Sequence, residues 1–220
     1  MTIIVACGLK REAAIIGRPG REVLVVAGGG DCVRLEAELD AMAERAPGWI
    51  LSSGVAGALD RSLRPGDVVI DGDRAVLGRL KTILPSARVG AIIGQDIVAA
   101  SPAQKRALHQ AGGAIAVDME SHVAKRVAAR HSLPFAALRV ISDAAEEELP
   151  PASLVGMRPD GGIALRAILA SLIRQPAQIL ALIRTGHHAG RAFRSLGRAH
   201  DMLARAGIDR LDLRELLLEM

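Results

Sequence analysis

Short apolar stretches alternate along the chain with longer segments in which apolar residues recur at helical spacing. Several strand-length stretches are apolar at successive positions and rich in Val and Ile, which is typical of parallel strands covered by helices on both faces. We expect strands over residues 2–7, 22–27, 49–53, 67–70, 88–93, 114–117 and 135–141. The helical patterns between them cover residues 32–45, 102–111 and 119–131.

This alternation predicts an α/β fold, a three-layer α/β/α sandwich around a mixed, mostly parallel sheet. After about residue 160 the pattern becomes helical only, over 163–174 and 176–184, followed by a basic stretch to residue 206 and a short final helix. We therefore expect a catalytic domain over residues 1–170. A helical, basic C-terminal extension over residues 171–220 would pack on or next to it.

Composition narrows the classes of function. The net charge of the 220 residues is only +4, and the aromatic residues are Trp49, Phe135 and Phe193, so the stacking platforms of nucleic-acid-binding proteins are missing. Cys7 and Cys32 have neither CxxC nor metal-ligand spacing, which favours reduced cysteines, no metal site and a cytoplasmic location. The apolar start is too short for a signal peptide, and charged residues interrupt 163–183, so no membrane span is expected.

Candidate chemistry lies where predicted strands end. Val117-Asp118-Met119-Glu120 and Ile141-Ser142-Asp143 each place carboxylates after an apolar run, where open α/β sheets hold their active sites. The loop 28–30 is a run of three glycines between a strand and a helix, a context that suits either a phosphate cradle or a tight turn. A dinucleotide site is less favoured, because the third glycine and the acidic ribose-binding residue are missing.

Four segments together resemble the nucleoside phosphorylase and nucleosidase superfamily. They are SGVAG at 53–57, RPGDVV at 64–69, VDMES at 117–121 and RVISD at 139–143, and they occur in the family order. With the glycine turn at Gly28, the resemblance covers roughly residues 1–170. It implies an enzyme that breaks the N-glycosidic bond of a purine nucleoside.

The resemblance also implies roles for three carboxylates. Asp143 would protonate the departing base, Glu120 would hold the ribose hydroxyls, and Glu12 would activate water. Partial desolvation at a strand end would favour the protonated form of Asp143, whereas the start of a helix favours an ionised Glu120. The plain alternatives are an ordinary acidic helix start for Glu120 and a capping role for Asp143.

The remaining site residues follow from the same resemblance. Substrate contacts are expected from Met119, Asp118, Ser142, Ile97, Val98, Ala56 and Gly57, and phosphate contacts from Gly8, Arg11, Gly30, Gly54 and Val55. Val55 stands where many relatives have a hydroxyl residue, and Ser52 where some phosphorylases have arginine. Both departures weaken a phosphate site, so water and phosphate both remain open as the nucleophile. No cofactor is expected apart from inorganic phosphate as a co-substrate.

A narrower resemblance is to the hopanoid-associated phosphorylases. It rests on the short segment between residues 70 and 92 and on the RQPAQI tail at 174–179. It implies phosphorolysis of adenosylhopane with release of adenine in hopanoid lipid biosynthesis, in a homo-oligomer. The basic tail suits contact with the inner membrane surface or with another subunit. The alternatives are a hydrolytic nucleosidase of the methylthioadenosine/adenosylhomocysteine type, a non-catalytic nucleotide-binding module and a membrane-associated scaffold.

Overall fold

The computed structural model describes residues 2–208 apart from 20, 22, 47 and 155–163. The strands are β1 (Thr2–Cys7), β2 (Val23–Ala27), β3 (Gly48–Ala58), β4 (Val68–Gly72), β5 (Arg88–Val89), β6 (Ile92–Gly94), β7 (Ala116–Asp118) and β8 (Phe135–Asp143). The helices are α1 (Lys10–Ile16), α2 (Cys32–Arg45), α3 (Arg74–Ile83), α4 (Pro102–Gly112), α5 (Ser121–Arg130), α6 (Pro151–Leu154), α7 (Leu165–Arg174) and α8 (Ile179–Arg205). The short final helix predicted after residue 206 lies almost wholly outside the described residues.

The eight strands form one mixed, mostly parallel sheet, which confirms the predicted fold class. Its main path runs β2-β1-β3-β8-β4-β5, and β4 is antiparallel to β8. The end of β3 also pairs with β7, which runs antiparallel to it and in turn pairs with β6. Because β7 runs back along β3, the residues that follow β7 lie close to the middle of β3.

Helices cover both faces of the sheet. On one face, α2 and α5 pack on side chains such as Ile4, Ala6 and Ile50. On the other face, the alternate residues Ile3 and Val5 join a core that includes α3 and the second half of α8. Successive side chains of β1 therefore enter two different apolar cores, one on each face of the sheet, as expected for a strand buried on both sides.

Local sequence signals account for several boundaries. The Asp31 side chain accepts a hydrogen bond from the backbone N–H of Arg34 and starts α2. At the start of α4, Ser101 and Gln104 form a capping box next to Pro102, and Gly113 ends the helix in the left-handed conformation. These residues satisfy N–H and C=O groups that have no partner within the helix.

Some predicted elements differ from those observed. β3 and β8 extend to Ala58 and Asp143, beyond the predicted ends at Ser53 and Ile141, because the two strands stay paired as far as Gly57 and Asp143. The single strand expected over 88–93 is two short strands, β5 and β6, which pair with different neighbours. Helices α1 and α3 were not predicted, and the 176–184 helix and the basic stretch form one helix, α8, after a 3₁₀ turn at Pro176–Gln178.

The second half of α8 belongs to the core of the fold. Ala192, Leu196 and Leu203 are buried against the sheet. His200 Nε2 lies 2.8 Å from Ser53 Oγ of β3, and both side chains are buried. In the described part of the chain, no helix is long and apolar enough to cross a membrane.

The buried His200 predicts how the free energy of unfolding changes at acidic pH. Burial lowers the pKa of His200 from 6.5 to about 3, so below pH 6.5 the unfolded chain binds a proton that the folded chain does not. The free energy of unfolding should therefore fall as the pH drops, by about 2 kcal/mol from this group at pH 5. We expect urea unfolding to show that His200→Gln loses less stability than the wild type between pH 7 and pH 5. The exposed His187→Gln is the control, and equal losses in all three proteins would contradict the prediction.

Candidate active site

The site lies where the carboxyl ends of β1, β3 and β8 meet the turn after β7. Glu12 is in the first turn of α1, just after β1, and Glu120 immediately precedes α5. Gly54 of β3 pairs in register with Arg139 of β8. The parallel strands and the returning β7 thus bring one basic and several acidic side chains to the same edge.

Arg139 is the centre of this cluster. Its side chain is fully buried, and its Nη2 forms an ion pair with Asp118, lies 3.4 Å from Glu120 Oε2 and donates a hydrogen bond to Ser52 Oγ at 2.6 Å. Its Nε and Nη1 have no acceptor among the described residues. Since buried polar groups are nearly always hydrogen-bonded, these two nitrogens suit a polar ligand or water.

Glu12 is buried and held by backbone donors. Its Oε2 accepts hydrogen bonds from the N–H groups of Gly8 at 2.9 Å and Leu9 at 2.8 Å, and its Oε1 accepts one from Val55 at 2.8 Å. Burial raises the pKa of Glu12, while Arg139 and these donors oppose the rise. The carboxylate is therefore fixed in place and more basic than an exposed glutamate.

Glu120 differs from the expectation for an acidic helix start. Its pKa is raised to about 8, chiefly because burial disfavours the charged form, with Asp118 and Glu12 adding to the rise and Arg139 opposing it. Desolvation outweighs the helix dipole here, since a dipole contributes only about 0.3–1 kcal/mol near the surface. Burial thus opposes the ionised form that the helix start was expected to favour.

Asp143 has a partner that the sequence did not reveal. Its Oδ2 lies 2.5 Å from the Nζ of Lys105 on α4, and its Oδ1 accepts a hydrogen bond from Ser142 Oγ at 2.7 Å. Both Lys105 and Asp143 are buried. The buried carboxyl group is thus paired with a buried cation, which was not part of the expectation from the sequence.

Asp118, which was expected to contact substrate, has hydrogen-bond and ion-pair partners within the protein. Its two oxygens engage Arg139 and both the backbone N–H and the hydroxyl of Ser121. With only 5% of its surface exposed, it orients Arg139 and the start of α5. A direct contact between Asp118 and substrate stays a prediction.

The other expected substrate contacts lie around the same edge. Met119, Ala56, Gly57 and Ser142 are beside the cluster, and Gly57 lies so close to Asp143 that an added Cβ would come within 3.1 Å of its Oδ2. A bulge between Ala56 and Gly57 shifts the pairing with β8 at this point, as is common next to binding sites. In the loop that follows β6, Ile97 is 75% exposed and Val98 is half-buried.

The expected phosphate-binding residues do not form one cradle. The N–H groups of Gly8 and Val55 already donate to Glu12. The guanidinium of Arg11 stacks on the ring of Phe193, 4.2 Å from its centroid, and Gly30 is exposed with nothing within 4 Å of its added Cβ. Gly54 lies against the acidic cluster. The structure therefore gathers Gly8, Gly54 and Val55 around Glu12 and leaves Arg11 and Gly30 outside that cluster.

One group of possible metal ligands lies nearby. The donor atoms of Cys32, Asp96 and His122 all lie within 4.8 Å of one another. His122 Nε2 and Asp96 Oδ1 are 3.0 Å apart, while Cys32 Sγ donates to the backbone oxygen of Met119. Burial raises the pKa of Cys32 to about 11, which disfavours the thiolate that metals bind.

Comparisons with known proteins match this architecture. A family model described as the Phosphorylase superfamily matches residues 72–174, just under half of the chain. The comparison with curated protein sequences gives no match.

Solved structures of nucleosidases share the fold. A 5'-methylthioadenosine/S-adenosylhomocysteine nucleosidase from S. pneumoniae, bound to a transition-state inhibitor, has a TM-score of 0.63 at 16% identity and covers 92% of this chain and 100% of its own. The corresponding Helicobacter pylori nucleosidase has a TM-score of 0.60 at 18% identity, over 91% and 98%. Futalosine hydrolase from Helicobacter pylori has a TM-score of 0.55 at 20% identity, over 65% and 88%. The chain therefore has the fold of these proteins.

Gly54 lies so close to Glu12 and Arg139 that replacing it with alanine should lower the stability of the protein. A Cβ at Gly54 would lie 2.6 Å from Glu12 Oε1 and 2.7 Å from Arg139 Nη1, two atoms that are buried and held in place. We expect Gly54→Ala to lower the free energy of unfolding by about 1–3 kcal/mol, as overpacking does. Gly78→Ala is the matched control, because Gly78 lies in α3 with open space around it. Equal or higher stability of Gly54→Ala in urea unfolding would contradict this packing.

Proposed function

We propose that this chain is an enzyme that breaks the N-glycosidic bond of an adenine nucleoside, with water as the attacking group. The observation that carries the proposal is the buried Glu12, fixed by three backbone donors beside Arg139 Nη1, which has no acceptor in the described part of the chain. The match to the Phosphorylase superfamily and the fold shared with nucleosidases supply the class of reaction.

Glu12 serves as the general base. A carboxylate that is buried and has a raised pKa accepts a proton more readily near neutral pH. Water held near Glu12 and Arg139 gives its proton to Glu12 as its oxygen attacks the sugar carbon. The N–H groups of Gly8 and Val55 keep the carboxylate oriented throughout.

Glu120 binds the ribose hydroxyl groups. A carboxyl group whose pKa is about 8 can accept hydrogen bonds in either protonation state, and Arg139 at 3.4 Å favours its ionised form. An ionised Glu120 also stabilises the positive charge that develops on the sugar as the base departs.

Asp143 protonates the departing purine. The electron pair of the broken C–N bond moves to the base, and the proton from Asp143 makes that base a neutral leaving group. Ser142 donates to Asp143 Oδ1 and has a second acceptor in the Ala56 carbonyl oxygen at 3.2 Å, so its hydroxyl can turn away when a base arrives.

Phosphate is the competing nucleophile. The resemblance to hopanoid-associated phosphorylases favours it, whereas the engagement of Gly8 and Val55 by Glu12 and the position of Arg11 on Phe193 favour water. For the substrate we propose an adenine nucleoside with an apolar group on the ribose, of which adenosylhopane is the example that the resemblance suggests. A homo-oligomer is part of the same proposal.

An assay of adenine release tests the role of Glu12. The wild type should release adenine from an adenosine derivative at the same rate with and without inorganic phosphate. Glu12→Gln should lower the rate by about 100-fold or more, because the general base is lost. The exposed Glu44→Gln is the control, and circular dichroism verifies that each variant folds.

The outcomes of this assay separate the alternatives. Release that requires phosphate would contradict water attack and support phosphorolysis. The absence of release from any adenosine derivative would contradict the enzymatic proposal and favour a non-catalytic nucleotide-binding module. Faster turnover of adenosylhopane than of adenosine would support a lipid-linked substrate.

An exposed apolar surface at the α7–α8 corner supports contact with a membrane. The apolar ridge consists of Ile173, Ile179, Leu180 and Ile183, with Ile173 81% and Leu180 79% exposed. Arg174 and Arg184, both exposed, lie in the same segments. Apolar side chains beside arginines suit the interface of an anionic membrane, so we propose that the ridge docks on the inner membrane surface.

Vesicle sedimentation tests this docking. The wild type should bind vesicles that contain phosphatidylglycerol more strongly than pure phosphatidylcholine vesicles. Ile173→Ser with Leu180→Ser should weaken binding, because apolar contact is lost. Val33→Ser with Val89→Ser, at exposed valines elsewhere, is the matched control. Unchanged sedimentation of the ridge variant, or a change in subunit number instead, would contradict membrane docking and favour a subunit contact.

A further inference from the structure

Lys105 is a buried cation that the roles assigned so far do not use. It lies on α4 with its side chain fully buried, and its Nζ makes three contacts: Asp143 Oδ2 at 2.5 Å, the Ala144 carbonyl at 2.8 Å and the Glu147 carbonyl at 2.9 Å. An ammonium group has three donors, and all three have acceptors. Burying a lysine is costly unless it is paired in this way, so the pair is a specific feature of the site.

The surrounding backbone fixes both partners. The capping box of Ser101 and Gln104 sets the start of α4, one turn before Lys105. The turn after β8 is closed by the Glu147 side chain, which accepts a hydrogen bond from the Ala144 N–H at 3.0 Å. Lys105 therefore connects a rigid helix start to the end of β8, where Asp143 lies.

The two oxygens of Asp143 are held differently. Oδ2 faces Lys105, whose other two donors are already used by carbonyl groups. Among the residues that the structure describes, only Ser142 Oγ holds Oδ1, and that hydroxyl has the Ala56 carbonyl as a second acceptor. Consequently Oδ1 can be released to a ligand while Oδ2 stays fixed.

We propose that Lys105 is a positioning residue for Asp143: it holds Oδ2, so that Oδ1 is the atom that passes a proton to the departing base. This inference rests on the proposed function. As the C–N electron pair moves to the base, the proton leaves Oδ1 and Asp143 becomes a carboxylate. The fixed ammonium of Lys105 stabilises that developing negative charge. The proton that Glu12 takes from water later returns to Asp143 through solvent, so the cycle balances.

The experiment compares Lys105→Met with Arg106→Met, its exposed neighbour on α4. We expect Lys105→Met to lower kcat about 100-fold with little change in KM. Arg106→Met should leave both kcat and KM unchanged. A rise in KM as large as the fall in kcat, or a loss of folded protein in circular dichroism that accounts for the lost rate, would indicate a purely structural role for Lys105 and overturn the proposal.

A second variant addresses folding. Lys105→Met leaves the Asp143 carboxylate buried without its counter-charge, whereas Lys105→Met with Asp143→Asn removes both charges. If Lys105 acts through Asp143, adding Lys105→Met to Asp143→Asn causes little further loss of rate. An equal loss in both backgrounds would overturn the proposal. A wild-type chain that releases no base would instead refute the proposed function itself, so the two failures are distinct.

Discussion

The guanidinium of Arg139, fully buried among three carboxyl groups, is the interaction on which the rest of the site depends. It pairs with Asp118, lies 3.4 Å from Glu120 and opposes the desolvation of Glu12. Removing one partner of such a buried cluster typically costs about 3–5 kcal/mol, because the remaining charges lose their compensation. Several features of the sheet edge follow from the space and charge that Arg139 requires. Gly54 has no room for a side chain, Ser52 supplies an acceptor, and β7 returns antiparallel to bring Asp118 within reach.

The distribution of positive charge divides the site into two halves. Around Arg139, three carboxyl groups share one cation, so burial raises the pKa values of Glu12 and Glu120. Around Asp143, one carboxyl group pairs with the ammonium of Lys105. The proposed base, Glu12, and the proposed acid, Asp143, therefore lie in different electrostatic surroundings.

The sequence predicted the fold and most of the positions along the sheet edge. The apolar runs and the helical segments between them were sufficient to predict the sheet and its helical layers, because strand and helix patterns both depend on local periodicity. The partners of the carboxyl groups were harder to predict. Lys105 occupies an ordinary position in an amphipathic helix, and only the tertiary structure brings it to Asp143. Arg139 did carry a signal, since a lone arginine within the apolar run of β8 must be buried and paired. The pairing of Asp118 with Arg139 was not predicted either, because a carboxylate at a strand end can orient a neighbour as readily as it can contact a ligand.

The central claim is that water, activated by Glu12 next to Arg139, attacks the sugar. The most direct test is to run the reaction with an adenosine derivative in the presence of inorganic phosphate labelled with ¹⁸O, and to identify the sugar product by mass spectrometry. Water attack predicts a free sugar without label alongside adenine. A sugar 1-phosphate that carries the labelled phosphoryl group would contradict it.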